Sequence, residues 1–185
     1  VNLYRGCCHG CLYCDSRSAC YHNPDFDTVK AKQDALRILR DDLARKVKPA
    51  FIGMGAMSDP YNPFERELHL TRHALELIDA YDCGVAVATK GDLIVRDIDL
   101  YQSIQTHSPV ICKLTITTTD AELAARVEPG APSPEQRLAA LEKLAQAGVF
   151  CGVLLMPVLP FLEDTEENVT AVVDRAADAG AKFVY

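Results

Sequence analysis

The sequence predicts an α/β fold in which parallel strands, each followed by a helix, wrap into a partial barrel. Three observations carry this. Short apolar runs recur along the chain with segments of helical period between them. The 185 residues, 49% of them hydrophobic, suffice for one buried core. The polar loops that could bear chemistry follow the apolar runs, where parallel α/β folds gather their functional groups.

Five strand-like runs stand out: Phe51-Ile52, Gly84 to Thr89, Val110 to Thr117, Val149 to Met156 and Lys182 to Tyr185. A sixth ends on Asn2-Leu-Tyr4. Between them, Val29, Leu36, Leu39, Leu43 and Val47 make one apolar helical stripe, Leu75, Ile78 and Tyr81 another, and Ile98, Tyr101 and Ile104 a third. Ser133-Pro-Glu-Gln136 combines a capping box with proline in the first helical turn, and Gly148 closes that helix. Thr165 opens a similar unit that Gly180 ends. Strand–helix alternation implies parallel strands with right-handed crossovers. Six strands fall short of the eight in a full barrel of roughly 250 residues. The expected fold is therefore a partial (β/α)6 TIM-like barrel forming one domain over 1–185, cut at both ends.

With 19 basic and 26 acidic residues the net charge is −7, which disfavours a broad electrostatic footprint on duplex nucleic acid and leaves a local basic groove open. The basic residues from Lys30 to Lys48 share a helix with Asp34, Asp41 and Asp42 and read as a solvated face. No apolar run approaches the roughly 18 residues needed to span a bilayer, and no signal-peptide pattern is present. The expectation is a soluble, cytoplasmic protein with no membrane partner.

Four of the eight cysteines crowd into Cys7 to Cys14, which points to a metal site and away from a disulfide framework. Cys83, Cys112 and Cys151 lie at or in apolar runs and read as small buried hydrophobes. The spacing Cys7-x3-Cys11-x2-Cys14 lets a short loop, freed by Gly6 and Gly10, wrap three thiolates around one cube-shaped cluster. Three ligands for four irons leave one iron open to a small molecule, whereas an electron-transfer cluster normally takes four cysteines. A zinc site is the alternative, although its common pattern of two separated cysteine pairs is missing.

The triplet, with Tyr13 just before its last cysteine, resembles the signature of the radical S-adenosylmethionine superfamily. The run Asn2 to Cys14, together with Ser58-Asp-Pro-Tyr61, Thr89-Lys90 and Arg96-Asp-Ile-Asp-Leu100, further resembles the branch that includes spore photoproduct lyase. The resemblance implies a 4Fe-4S cluster held by Cys7, Cys11 and Cys14, and S-adenosyl-L-methionine chelating its open iron. It also implies cleavage to a 5′-deoxyadenosyl radical that abstracts hydrogen from substrate, fed by an external one-electron donor such as a flavodoxin or ferredoxin. Tyr13 is expected beside the adenine, Ser58 and Asp59 at the methionine amino group, and Lys90 facing its carboxylate. Strand alternation places Lys113, Thr115 and Thr117 on one face, with Thr115 and Thr117 suited to ribose or carboxylate contacts. Glu128 and Arg137 read as structural.

One departure bears on the substrate. Spore photoproduct lyases carry a hydrogen-donor cysteine in the loop after the second barrel strand, and Gly53-Met-Gly-Ala-Met-Ser-Asp59 has none. Cys20 is the candidate substitute. The substrate stays open among a nucleic-acid base, a peptide and a small metabolite. A cluster or zinc module for binding or sensing, without cofactor cleavage, is the competing reading.

Overall fold

A computed structural model describes residues 1–185. Strands β3 (Phe51–Met54), β4 (Gly84–Thr89), β5 (Val110–Thr115) and β6 (Cys151–Leu154) form one sheet in sequence order, and every neighbouring pair is parallel. The crossovers carry α3 (Leu70–Ala80), α4 (Ile98–Gln105) and α6 (Pro134–Gln146) onto one face. There Val85, Val87, Cys112, Leu114, Cys151 and Val153 are fully buried. Cys83 is buried as well, so the three isolated cysteines are core residues.

Two strand expectations change. Tyr4–Arg5 (β1) does not join the parallel sheet but pairs antiparallel with Lys30–Ala31 (β2). The amino-terminal segment still reaches the end of β3, through the Ser58 hydroxyl donating to the Tyr4 carbonyl at 3.0 Å and the Met57 N–H donating to Asn2 Oδ1 at 3.1 Å. The last run, Lys182 to Tyr185, continues the parallel pairing beyond β6 as a single bridge between Val153 and Val184.

The helical readings hold where stripe and cap coincide. Ser133 and Gln136 form the reciprocal capping box of α6, worth about 1 kcal/mol, and Thr165 caps α7 (Glu166–Asp178). The first stripe is shorter than its apolar pattern. Helix α1 runs only from Ala35 to Arg45, burying Leu39 and Leu43, and leaves Val47 90% exposed beyond its end. Two short helices went unread because they lack a full apolar period: α2 (Glu65–Leu68), and α5 (Ala121–Val127), which Asp120 caps through the N–H groups of Glu122 and Leu123.

The Arg96-Asp-Ile-Asp-Leu100 segment has a structural purpose. Glu65 and Asp97 are fully buried, and Arg96 bridges them at 2.9 and 2.7 Å. Arg72 closes the other side of Asp97 at 3.0 Å, Tyr61 donates to it, and Tyr4 donates to Glu65. This network locks β1, just before the cysteine loop, onto the helices behind β3 and β4. Removing one partner of such a pair strands a buried charge, at a cost of about 3–5 kcal/mol. Arg96→Met should therefore lower unfolding free energy by roughly that amount in urea titration, and an unchanged midpoint would remove the network from the account.

Candidate functional site

The loops at the carboxyl ends of the strands enclose a cavity of about 380 Å³. Cys7, Cys11 and Cys14 all line it, together with Ser58 and Asp59 after β3 and Lys90 after β4. Tyr13 and Thr115 line it too, as do His9, Ser16 and Thr89. Of the ten site residues expected from sequence, eight meet in this one cavity.

The cysteine loop is shaped by backbone contacts. The Cys7 N–H donates to Phe26 at 2.8 Å, Leu12 to Val127 at 2.9 Å, and Gly130 to the His9 carbonyl at 2.8 Å. A Cβ on Gly130 would stand 2.4 Å from the Cys8 carbonyl, so only glycine lets the 127–130 turn approach the loop. Burial, reinforced by the Asp59 charge, pushes the Cys7 thiol up to about 12, and burial also raises Cys11. Burial pushes the His9 imidazole down.

The three thiols are free and share one cavity, which is the donor set of a three-ligand cluster. As the loop stands, no three His, Cys, Asp or Glu groups converge on a single metal ion; a cube of four irons would take the three thiolates at separate corners.

Asp59 organises the strand ends. Its Oδ1 accepts from the Tyr61 N–H at 2.8 Å and the Thr89 hydroxyl at 2.5 Å, and its Oδ2 accepts from the Lys90 N–H at 2.8 Å. His9 Nδ1 lies 3.5 Å from the same Oδ2. The carboxylate thus ties the β3 loop to the end of β4 and touches the cysteine loop.

Glu128, fully enclosed, ties the opposite wall. Tyr13 donates to one of its oxygens and Arg137 to the other, while Lys90 Nζ stands 3.7 Å away. Arg137 also donates to the carbonyls of Thr115 at 2.9 Å and Pro132 at 2.7 Å. The Lys90 ammonium lies 5.3 Å from the Tyr13 ring centroid, a cation–π contact. Glu128 and Arg137, read from sequence as structural, are buried and paired, and they brace Tyr13 and Lys90 on this wall.

Two expected residues fall outside the cavity. Cys20 is exposed in a single 3-10 turn, with its sulfur 3.2 Å from the Ser18 hydroxyl, and does not line the cavity. Thr117 is buried but donates to Glu163 at 2.8 Å, because the chain bends away after β5. The loop after β3 supplies Ala56 and Met57 to the cavity wall and no thiol. Glu163 was missed. Its carboxylate, fully buried, also accepts from the Leu159 N–H at 3.1 Å and so fixes the loop after β6. A lone glutamate in an irregular stretch gives no periodic signal.

Comparison with known proteins agrees with this geometry. The family model of the radical SAM superfamily matches residues 1–181. An uncharacterised Mycobacterium tuberculosis protein, Rv2578c, is 35% identical over 191 residues, covering 100% of this chain and 56% of that protein. An uncharacterised Methanocaldococcus jannaschii protein, MJ0683, is 33% identical over 169 residues, covering 90% of this chain and 62% of its own length. The chain thus spans little more than half of these relatives. Among solved structures, a spore photoproduct lyase variant superposes with a TM-score of 0.77 at 20% identity, covering 99% of this chain and 52% of the lyase. Another lyase variant, with bound AdoMet and dinucleoside spore photoproduct, gives 0.72 at 21%, covering 97% and 51%. Streptococcus suis SuiB bound to S-adenosylmethionine gives 0.63 at 16%, covering 99% and 36%. The superfamily uses a 4Fe-4S cluster and S-adenosylmethionine, and this chain belongs to the radical SAM superfamily.

Proposed function

We propose that this chain is the catalytic core of a radical SAM enzyme that cleaves S-adenosylmethionine reductively and abstracts hydrogen from a substrate. The observation that carries the reading is the convergence of Cys7, Cys11 and Cys14 with Ser58, Asp59 and Lys90 on one cavity. Bound there, the cluster and its cofactor supply a one-electron cleavage to methionine and a 5′-deoxyadenosyl radical.

The chain's own residues bind, orient and shield. Cys7, Cys11 and Cys14 would hold three irons as thiolates. Asp59 has both oxygens engaged by the protein, so its part is to fix the loop whose backbone faces the cofactor's amino group. Lys90 is held loosely enough against Glu128 to turn its ammonium to a carboxylate. Tyr13, oriented through its hydroxyl by Glu128, offers a ring for the adenine, and Thr115 a hydroxyl for the ribose. Ala56, Met57 and Met156 keep that side of the cavity apolar. Electrons would come from an external one-electron donor of flavodoxin or ferredoxin type, because the chain brings one cluster-ligand set and no second redox group.

Anaerobic reconstitution tests the reading. About four irons and four sulfides per chain should load, with dithionite-dependent 5′-deoxyadenosine, and Ala at any one of Cys7, Cys11 or Cys14 should abolish its formation. A colourless zinc protein, or a cluster whose EPR spectrum ignores S-adenosylmethionine, would favour a binding module instead.

Thiol chemistry in the metal-free chain offers a second check. A raised pKa leaves less thiolate, so iodoacetamide at pH 8 should label exposed Cys20 first. Cys7 should follow more slowly, its rate still climbing about tenfold per pH unit toward pH 10. Equal labelling of the two at pH 8 would contradict the burial described for Cys7.

Glu128→Gln keeps the shape of the wall and removes the charge that Arg137 and Lys90 face. Loss of about 3 kcal/mol would lower the thermal midpoint by roughly 6–12 °C in a chain of this size. A midpoint within a degree of the parent would show that Glu128 is dispensable.

A further inference from the structure

Five lysines and arginines are buried or half-buried, and four of them face carboxylates: Arg72, Lys90, Arg96 and Arg137. Lys113 is the fifth and has no such partner. It occupies the middle of β5, in register with Ala88 of β4 and Gly152 of β6. Its side chain lies on the sheet face opposite the buried Cys112 and Leu114, away from the helices. Lysine is disfavoured in strands, and holding an ammonium half out of water against apolar neighbours costs free energy.

Ala88 is the small neighbour on one side of Lys113, whereas on the other side Phe183 fills the space over Gly152, where a Cβ would stand 2.4 Å from the Phe183 carbonyl and 2.7 Å from its ring. A Cβ placed on Gly53 of the same face would meet nothing within 4 Å. The Phe183 ring, stacked on Phe150 with centroids 5.6 Å apart, lies over Gly152 beside Lys113, while the Phe51 ring covers Gly84 at the amino-terminal end of β4. Ala88 also lines the cysteine cavity, as does Thr115, two residues further along the same face, about 6.6 Å at strand rise. Lys113 therefore lies one step below the lining residues, beneath the cavity in which the radical would form.

We propose that Lys113 anchors the substrate by an anionic group, a phosphate or a carboxylate, while the substrate's flat apolar part rests against the Phe183 ring and its reacting end reaches toward the cysteines. The inference rests on the radical SAM reading and names the substrate class for that site. An unpaired cation on an otherwise uncharged face selects an anion, and the small Ala88 side chain leaves the space beside it.

The test uses the reconstituted chain with phenyl phosphate and benzoate as probes and benzyl alcohol as the uncharged control. Acetic anhydride labelling of Lys113, read by mass spectrometry, should slow in the presence of one or both anions, while exposed Lys182 is unaffected. In Lys113→Met, affinity for the protecting anion should fall about tenfold or more, and Lys113→Arg should retain most of it. Protection by phenyl phosphate alone points to a phosphoester substrate, by benzoate alone to a carboxylate, and by both to either anion. Equal protection by benzyl alcohol, no protection, or undiminished binding to Lys113→Met would overturn the proposal. Formation of 5′-deoxyadenosine separates the two layers: its absence in the parent chain sinks the radical SAM reading, whereas its presence with failed anion binding sinks only the role of Lys113.

Discussion

The arrangement of this molecule depends on a buried carboxylate, Glu128, that four separate segments need at once. Tyr13 of the cysteine loop, Lys90 at the end of β4 and Arg137 of α6 all meet it, and Arg137 passes the connection on to the Thr115 carbonyl of β5. Inside a protein such a group is costly unless fully paired, and when paired it fixes geometry because any displacement strands a charge. The cysteine loop carries almost no secondary structure of its own. Its place is set by this carboxylate, by the Val127–Gly130 backbone and by Asp59.

Asp59 and Glu128 divide the work. The first gathers the ends of β3 and β4 through short hydrogen bonds to Thr89, Lys90 and Tyr61, and the second holds the opposite wall. Between them lie the three thiols. The network around Glu65, Arg96 and Asp97 secures the strand that leads into the loop from behind. Conserving energy at the chemistry is not the aim of such an arrangement: ionic groups are spent on orientation, while hydrophobic burial on the helix side of the sheet supplies the stability.

The two faces of the sheet express that division. One face is packed with Val85, Val87, Leu114 and Val153 under the helices. The other carries Ala88, Gly152 under the Phe183 ring, and Lys113. Alternation along a strand lets a single short segment serve both purposes.

Much of this was legible in the chain. The cysteine spacing, the capping box at Ser133 and the order of apolar runs carry local signals, because cluster ligation, capping and strand burial depend on residues close in sequence. The boundaries of α1 were not legible, since Val29 and Val47 fit a helical stripe that tertiary contacts do not use. Nor was the antiparallel pairing of Tyr4–Arg5, which depends on a distant partner at Lys30–Ala31. The sequence alone singled out the cysteine triplet and determined the parallel α/β class. Tertiary structure decided that Thr117 turns to Glu163, that Cys20 stays outside, that Asp59 organises the strand ends and that Lys113 lacks a partner. Pairing of buried charges is settled by what the fold brings within a few ångströms, and that proximity is written in no single stretch of chain.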